Sequence, residues 1–228
     1  MMLAILLLCI SGIASAQGKD ADKITNALER AKRATEVLKQ VAALPEDKGI
    51  PKDVREKMNL IGVIPNALRL SLLFSKGYRG YGLSSLKKEG VWSAPAFYFF
   101  GASFGVSLTG VGTQHPDIVM AVVNAPTEVK KKKDKTKPKP KKDDPDQPRA
   151  YIYTFADGAL KPLGVIRTSW LTPLTGAGLN IVYDDNLNKA VYAAKGDDVL
   201  LGGFDKTRTV PNEITGFRDA VQELFPEN

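Results

Sequence analysis

Residues 90–114 read "GVWSAPAFYFFGASFGVSLTGVGTQ", and the fold class turns on the residues after Gly105. Gly101 to Gly105, "GASFG", fits the G-x-S-x-G pattern of a nucleophile elbow, in which a strand turns sharply at serine and a helix follows. Here "VSLTGVGTQ" comes next, dense in glycine and β-branched residues, which disfavour that helix. Read instead as strand, Gly101, Ser103 and Gly105 alternate onto one face of nearly bare backbone. The stretch predicts one strand of a meander.

The flanks agree. "LIGVIP", "LRLSLLF", "YGLSSLK", "DIVMAVVN", "YIYTFA", "LKPLGVIRTSW", "GAGLNIVYD" and "KAVYAAK" are short β-rich runs closely punctuated by Gly, Pro and Asp. Asp157-Gly158 in "ADGA" predicts a hairpin turn. Helices are expected at the two ends. One runs from Asp20 or Asp22 to about Leu44, with Ile24, Leu28, Ala31, Leu38 and Val41 at helical spacing and an i,i+4 pair of Glu29 and Arg33. A shorter one opens at Pro51 and reaches about Met58. The last spans 211–225, with Ile214, Phe217, Val221, Leu224 and Phe225 on one face. No strand–helix alternation occurs, so a doubly wound parallel sheet is not expected. The expected class is α+β: a β-rich, mainly antiparallel sheet or barrel-like core, with an N-terminal helical segment at 17–58, a β-rich domain at 59–228 and a C-terminal helix.

The first sixteen residues, "MMLAILLLCISGIASA", carry no charged side chain. Leu3 to Ile13 is shorter than the roughly 20 residues a membrane span needs, and Ala14-Ser15-Ala16 offers a small-x-small cleavage site. A signal peptide at 1–16 and an exported protein, periplasmic, envelope-associated or secreted, are the expectation. Cys9 would leave with the leader, so no disulfide or thiolate site remains.

Net charge is +7, but Lys130 to Arg149 alone carries +6. The 126–149 segment is read as a disordered Lys/Pro-rich insertion in the β-rich domain, because from Lys130 onward it offers no apolar residue to offset ordering entropy. Its lysines, Lys130, Lys131, Lys132 and Lys133 first, suit an anionic surface, each contributing roughly 1 kcal/mol near such a membrane. No aromatic side chain is interleaved with them, so nucleic acid is not an expected partner.

Other chemistries are thinly supported. A serine nucleophile at Ser103 needs a base, and the one histidine is His115, twelve residues onward. Asp184, Asn186 and Asn188 have calcium-loop spacing, but Lys189 and Lys195 stand where Gly and Glu are required, so "DDNLNK" is read as a strand-connecting turn. No cofactor or metal is expected, and no enzyme.

Pro65-Asn66, the glycine-rich Gly77 to Gly82, "GVWSAPAF" (Gly90 to Phe97), "GASFG" and Asp117 to Asn124 succeed one another in an order that resembles the SYLF domain family. Gly178, Asn188, Tyr192 and Val199 to Gly202 resemble that family's closing segment. The resemblance covers about residues 50–124 and 174–203. It implies a non-enzymatic domain that associates with anionic lipid, and actin as a partner of fungal members, which an exported protein would not meet. It also marks Pro65, Trp92, Ser93, Pro95, Phe97, Gly101, Ser103 and Gly105 as motif residues of structural rather than ligand-contacting kind. Basic residues available for lipid are Lys19, Lys23, Arg30, Arg33, Arg69, Lys76, Arg79, Lys87 and Lys88, with the lysine segment. A protein-interaction or structural module of the cell envelope is the alternative, and a serine hydrolase using Ser103 and His115 the third.

Overall fold

In the computed structural model, residues 3–72, 75–104, 112–128, 146–167, 174–176 and 179–226 are described. Two helices, α1 (Leu3–Ala42) and α2 (Lys52–Lys57), precede the strands β1 (Met58–Ile64), β2 (Leu68–Leu72), β3 (Ser75–Lys88), β4 (Val91–Trp92), β5 (Ala96–Phe104), β6 (Gly112–Gln114) and β7 (Asp117–Val123). Then come β8 (Arg149–Ala156), β9 (Ala159–Arg167), β10 (Leu174–Gly176), β11 (Leu179–Tyr183), and three helices, α3 (Asp185–Tyr192), α4 (Gly196–Leu200) and α5 (Asn212–Leu224). Every strand pairing among the described residues is antiparallel. The protein is therefore α+β and β-rich, with helices at both ends of the chain.

The sheet runs β10-β11-β5-β3-β1-β7-β8-β9. The long β3 is its spine. β5 lies along one edge of β3, while β1 and then β2 share the other, and β6 extends β2 outward. Pro65-Asn66 makes the switch from β1 to β2. Asn66 has a positive φ of 52°, its N–H donates to Asp117 Oδ1 at 2.8 Å, and Ala67 N–H donates to Pro116 O at 2.8 Å. The turn is thus tied to the entry of β7.

Facing residues in the register share a side of the sheet. One side carries Gly62, Ser84, Tyr98 and Met120, all inside the core. There a side chain at Gly62 would meet the Tyr98 hydroxyl at 2.5 Å, and one at Gly82 would meet Val63 O at 2.3 Å. At Gly82 the obstacle is backbone and admits only glycine, whereas at Gly62 a larger residue would have to displace the Tyr98 side chain. The other side carries Ile61, Val63, Leu83 and Phe97, also buried. α1 presents Ala27, Ala31, Ala34, Leu38 and Val41 inward and packs along Ile214, Phe217 and Val221 of α5.

The ends match expectation in place, with one extension: α1 is continuous back to Leu3, so the apolar stretch before Gln17 is helical backbone from Leu3 on. Arg33 reaches Asp117 at 3.5 Å, an ion pair across the fold rather than one with Glu29. Asp157 and Gly158 both have positive φ, 55° and 68°, the two-residue turn expected between β8 and β9.

"DDNLNK" and "KAVYAAK" are corrected: neither a turn nor a strand, they build α3 and its C-terminal end. Asp184 is the N-cap, accepting from Leu187 N–H at 3.1 Å, and Leu187, Asn188, Val191 and Tyr192 bury one face. Asp and Asn favour turns and helix caps for the same hydrogen-bonding reason, and here the cap prevails. Asp184→Ala should lower stability by about 1 kcal/mol and Asp184→Asn by much less, measured by urea denaturation.

Candidate functional site

On the side of the sheet that carries Leu83 and Phe97, the helices cover only part of the surface. The register continues beyond those two residues into Tyr81 facing Phe99 and Val182, then Arg79 facing Gly101, Asn180 and Leu68, then Gly77 facing Ser103 and Leu70. Ser103 and Arg79 are exposed, and Tyr81 (48%), Leu70 (37%) and Val182 (39%) are exposed large hydrophobics. The small-residue face of "GASFG" is open to solvent at Ser103.

Arg30 of α1 lies at the border of the covered region, its guanidinium 5.0 Å from the Tyr81 ring centroid. Tyr81 in turn meets Phe99 edge to face at 5.3 Å. Burial pushes the Arg30 pKa below its ordinary value, opposed by the charge of Asp184 and by Tyr81. The group remains a cation at neutral pH. Two grooves flank it. One, of about 490 Å³, is lined by Arg30, Arg79, Tyr81, Phe99, Leu68 and His115. The other, of about 670 Å³, runs between α1 and α3 past Lys23, Asn26 and Asp184. The result is an amphipathic surface, with Arg30, Arg79 and His115 around exposed aromatic and aliphatic side chains.

The basic residues read from the sequence do not form one patch. Arg30 and Arg79 come together with Lys23 nearby along α1. Arg33 is engaged by Asp117. Arg69 and Lys76 project from the opposite side of the sheet, where Arg69 stacks 6.0 Å from Tyr78 and donates to Gln114. Lys87 lies 5.8 Å from the Trp92 ring and donates to Pro226 O, and Lys88 is exposed beside another groove. The Lys19 side chain, Lys130 to Lys133, the 129–145 part of the insertion, Gly105 and Gly178 lie outside the described residues. Tyr81, Leu70 and Val182 are surface residues that sequence reasoning misses. Alternation from Arg79 is the signal that marks Tyr81, but only pairing with β2 and β11 brings in the other two.

The motif residues build the fold. Trp92 is buried, its Nε1–H donating to Phe225 O at 3.1 Å and its N–H to Gln222 Oε1 at 3.2 Å, which anchors the end of α5. Ser93 and Ser85 lace β3 to the segment after β4. Pro95 O accepts from the Tyr192 hydroxyl at 2.8 Å, and Phe97 is held by Asn188. Ser103 and His115 are not brought together. Ser103 faces Gly77, which faces Leu70, which faces Thr113, so three inter-strand spacings separate β5 from β6, about 14 Å along the sheet. Proton transfer needs hydrogen-bond reach.

Among the described residues no group of three His, Cys, Asp or Glu side chains is placed to hold a metal, and no helix is long and apolar enough to cross a membrane. In comparisons with known proteins, the chain matches no family model, no curated protein and no solved structure.

Proposed function

We propose that this is a non-enzymatic, exported, SYLF-like domain that binds anionic phospholipid membranes peripherally through the Arg30–Arg79 surface. The observation that carries the reading is the grid of exposed Leu70, Tyr81 and Val182 on one uncovered side of the sheet, bordered by Arg30 and Arg79. Exposed apolar side chains beside cations suit the headgroup boundary, where aromatic rings settle and arginines meet phosphates. Tyr81 serves both roles, since it presents a ring to the boundary and positions Arg30. The apolar leader and its small-x-small site support export, and the order of motifs from Pro65 to Asn124 supports the family reading. The polybasic segment would add long-range attraction, which salt screens over about 10 Å.

Co-sedimentation with phosphatidylglycerol and phosphatidylcholine vesicles tests this at low and high salt. Binding to the anionic vesicles that weakens with salt is expected. Arg30→Ala/Arg79→Ala should reduce it roughly 30-fold, at about 1 kcal/mol for each cation near an anionic surface. Equal binding to both vesicle types, or a double variant that binds like the parent, overturns the proposal. A deletion of residues 130–145 separates the tether from the folded surface by its effect on the salt dependence.

A further inference from the structure

A second groove, of about 530 Å³, opens between β4, the segment after it, and the chain leading from α4 into α5. It shares no lining residue with the Arg30–Arg79 surface. Its floor is apolar and firmly built. Trp92, Tyr192 and Leu200 are buried there, with Phe204 and Val210 partly so, and the Tyr192 hydroxyl is already satisfied by Pro95 O. Tyr192 and Phe204 pack edge to face at 5.2 Å, which stiffens the wall. At the lip stands Val91, 67% exposed, the most exposed large hydrophobic residue among those described.

The rim has one sign of charge. Lys88, Lys206, Arg208 and Arg218 all line the groove, and no acidic side chain does. Arg208 is fixed by donating to Ala190 O at 2.8 Å. Arg218 pairs with its own neighbour Asp219 at 2.6 Å, an exposed pair of small energetic weight. Asp219 offsets Arg218 and Asp205 lies close enough to act on Arg208, both from outside the groove, so a bound anion would complete the neutralisation of lining charges that are all positive. The volume falls within the about 300–1,000 Å³ of small-molecule sites, and an apolar floor with a few placed charges is their usual composition.

We propose that this groove binds one molecule of a single-chain anionic amphiphile, with its alkyl chain along Trp92, Leu200 and Phe204 and its carboxylate or phosphate headgroup among Lys88, Lys206, Arg208 and Arg218. Charge complementarity selects this occupant over a neutral apolar one. The site is separate from the membrane-facing surface and does not rest on that reading. It would let the protein hold a monomeric lipid whether or not the domain sits on a bilayer.

Isothermal titration of the full chain with dodecanoate and with dodecyl phosphate, both as monomers, tests the assignment. Dodecyl maltoside and inorganic phosphate are the controls. Saturable one-to-one binding of at least one anionic amphiphile is expected, and which of the two binds more tightly identifies the headgroup. Lys88→Ala/Lys206→Ala, at exposed positions, should weaken that binding roughly tenfold. Thr215→Trp, which places a ring in the groove, should abolish it with an unchanged circular dichroism spectrum, and if that variant fails to fold the lysine pair decides alone. No binding of either amphiphile overturns the proposal. So does equal binding of dodecyl maltoside, equal binding of inorganic phosphate, or a lysine variant that behaves like the parent. Arg30→Ala/Arg79→Ala should leave amphiphile binding unchanged, so a failure of vesicle binding and a failure of this site give different results.

Discussion

Asn188→Ala is expected to lower the unfolding free energy by about 3 kcal/mol. Asn188 is fully buried on α3, and its amide does for β5 what a neighbouring strand does elsewhere. Its Oδ1 accepts from Phe97 N–H at 2.9 Å, and its Nδ2 donates to Phe97 O at 2.9 Å. The β11 ladder ends at Tyr183 facing Tyr98, one residue before Phe97, so the side chain continues the pairing where the strand stops. Asp184 N–H also donates to Phe97 O at 3.0 Å, so the carbonyl keeps a partner in the variant, while the Phe97 N–H is left buried without one. An orphaned buried donor costs about 1–3 kcal/mol, and the lost second bond and small cavity add to it. Asn188→Asp should be no milder, because it removes the donor and buries a negative charge beside Phe97 O. Urea denaturation followed by circular dichroism measures the loss, and a value below about 1 kcal/mol would show that α3 is held on β5 by packing alone.

Asn188 also shows where sequence reading stops. Asn188 and Tyr192 belong to the motif resemblance, at the i,i+4 spacing that places both on one helical face. Yet "DDNLNK" reads as a turn, since nothing local tells an Asp that caps a helix from one that closes a loop. The deciding contacts are with Phe97 and Pro95, about ninety residues earlier. The strand meander and the terminal helices are legible because each rests on local periodicity and punctuation. The strand order is not: β11 adds beside β5 and β1 lies between β3 and β7, pairings set by distant burial.

The basic residues obey the same logic. Arg69 and Arg79 both lie on strands that pair with each other, but register puts them on opposite sides of the sheet. A one-residue slip of β2 against β3 would put both on the same side. Charge counts alone therefore suggest a single cationic binder, whereas the fold distributes the cations between an amphipathic surface at Arg30 and Arg79 and a groove rim at Lys88. The two proposed sites arise from that separation, and no composition-level argument produces it.

The same burial that assembles the core should make the protein sensitive to alkali. Tyr153 is pushed up to about 12, first by burial and then by the neighbouring Tyr151 and the charge of Asp53. Burial also raises Tyr98, with Tyr183 adding to it, and raises Tyr183, with Asp197 and Asp185 adding to it. Tyr192 is raised as well, partly opposed by Arg218. In the unfolded chain these phenols titrate near 10. Their contribution to stability is fully present below that value and is lost as pH rises through the folded-state values, because the unfolded chain then releases protons the native state retains. Each such tyrosine lowers stability as pH rises through that window, and Tyr153, partly reached by solvent, contributes on the order of 1–2 kcal/mol of the loss by about pH 12. The four act in the same direction, so the loss is steeper than any one of them would give. Urea denaturation at stepped pH should therefore show a level region up to about pH 9.5 and a steep fall above it. Tyr153→Phe should make the fall shallower by one proton's worth. A flat profile to pH 12 would mean these hydroxyls exchange with solvent in the native state, and the closed core around Tyr98 and Gly62 would have to open to admit it.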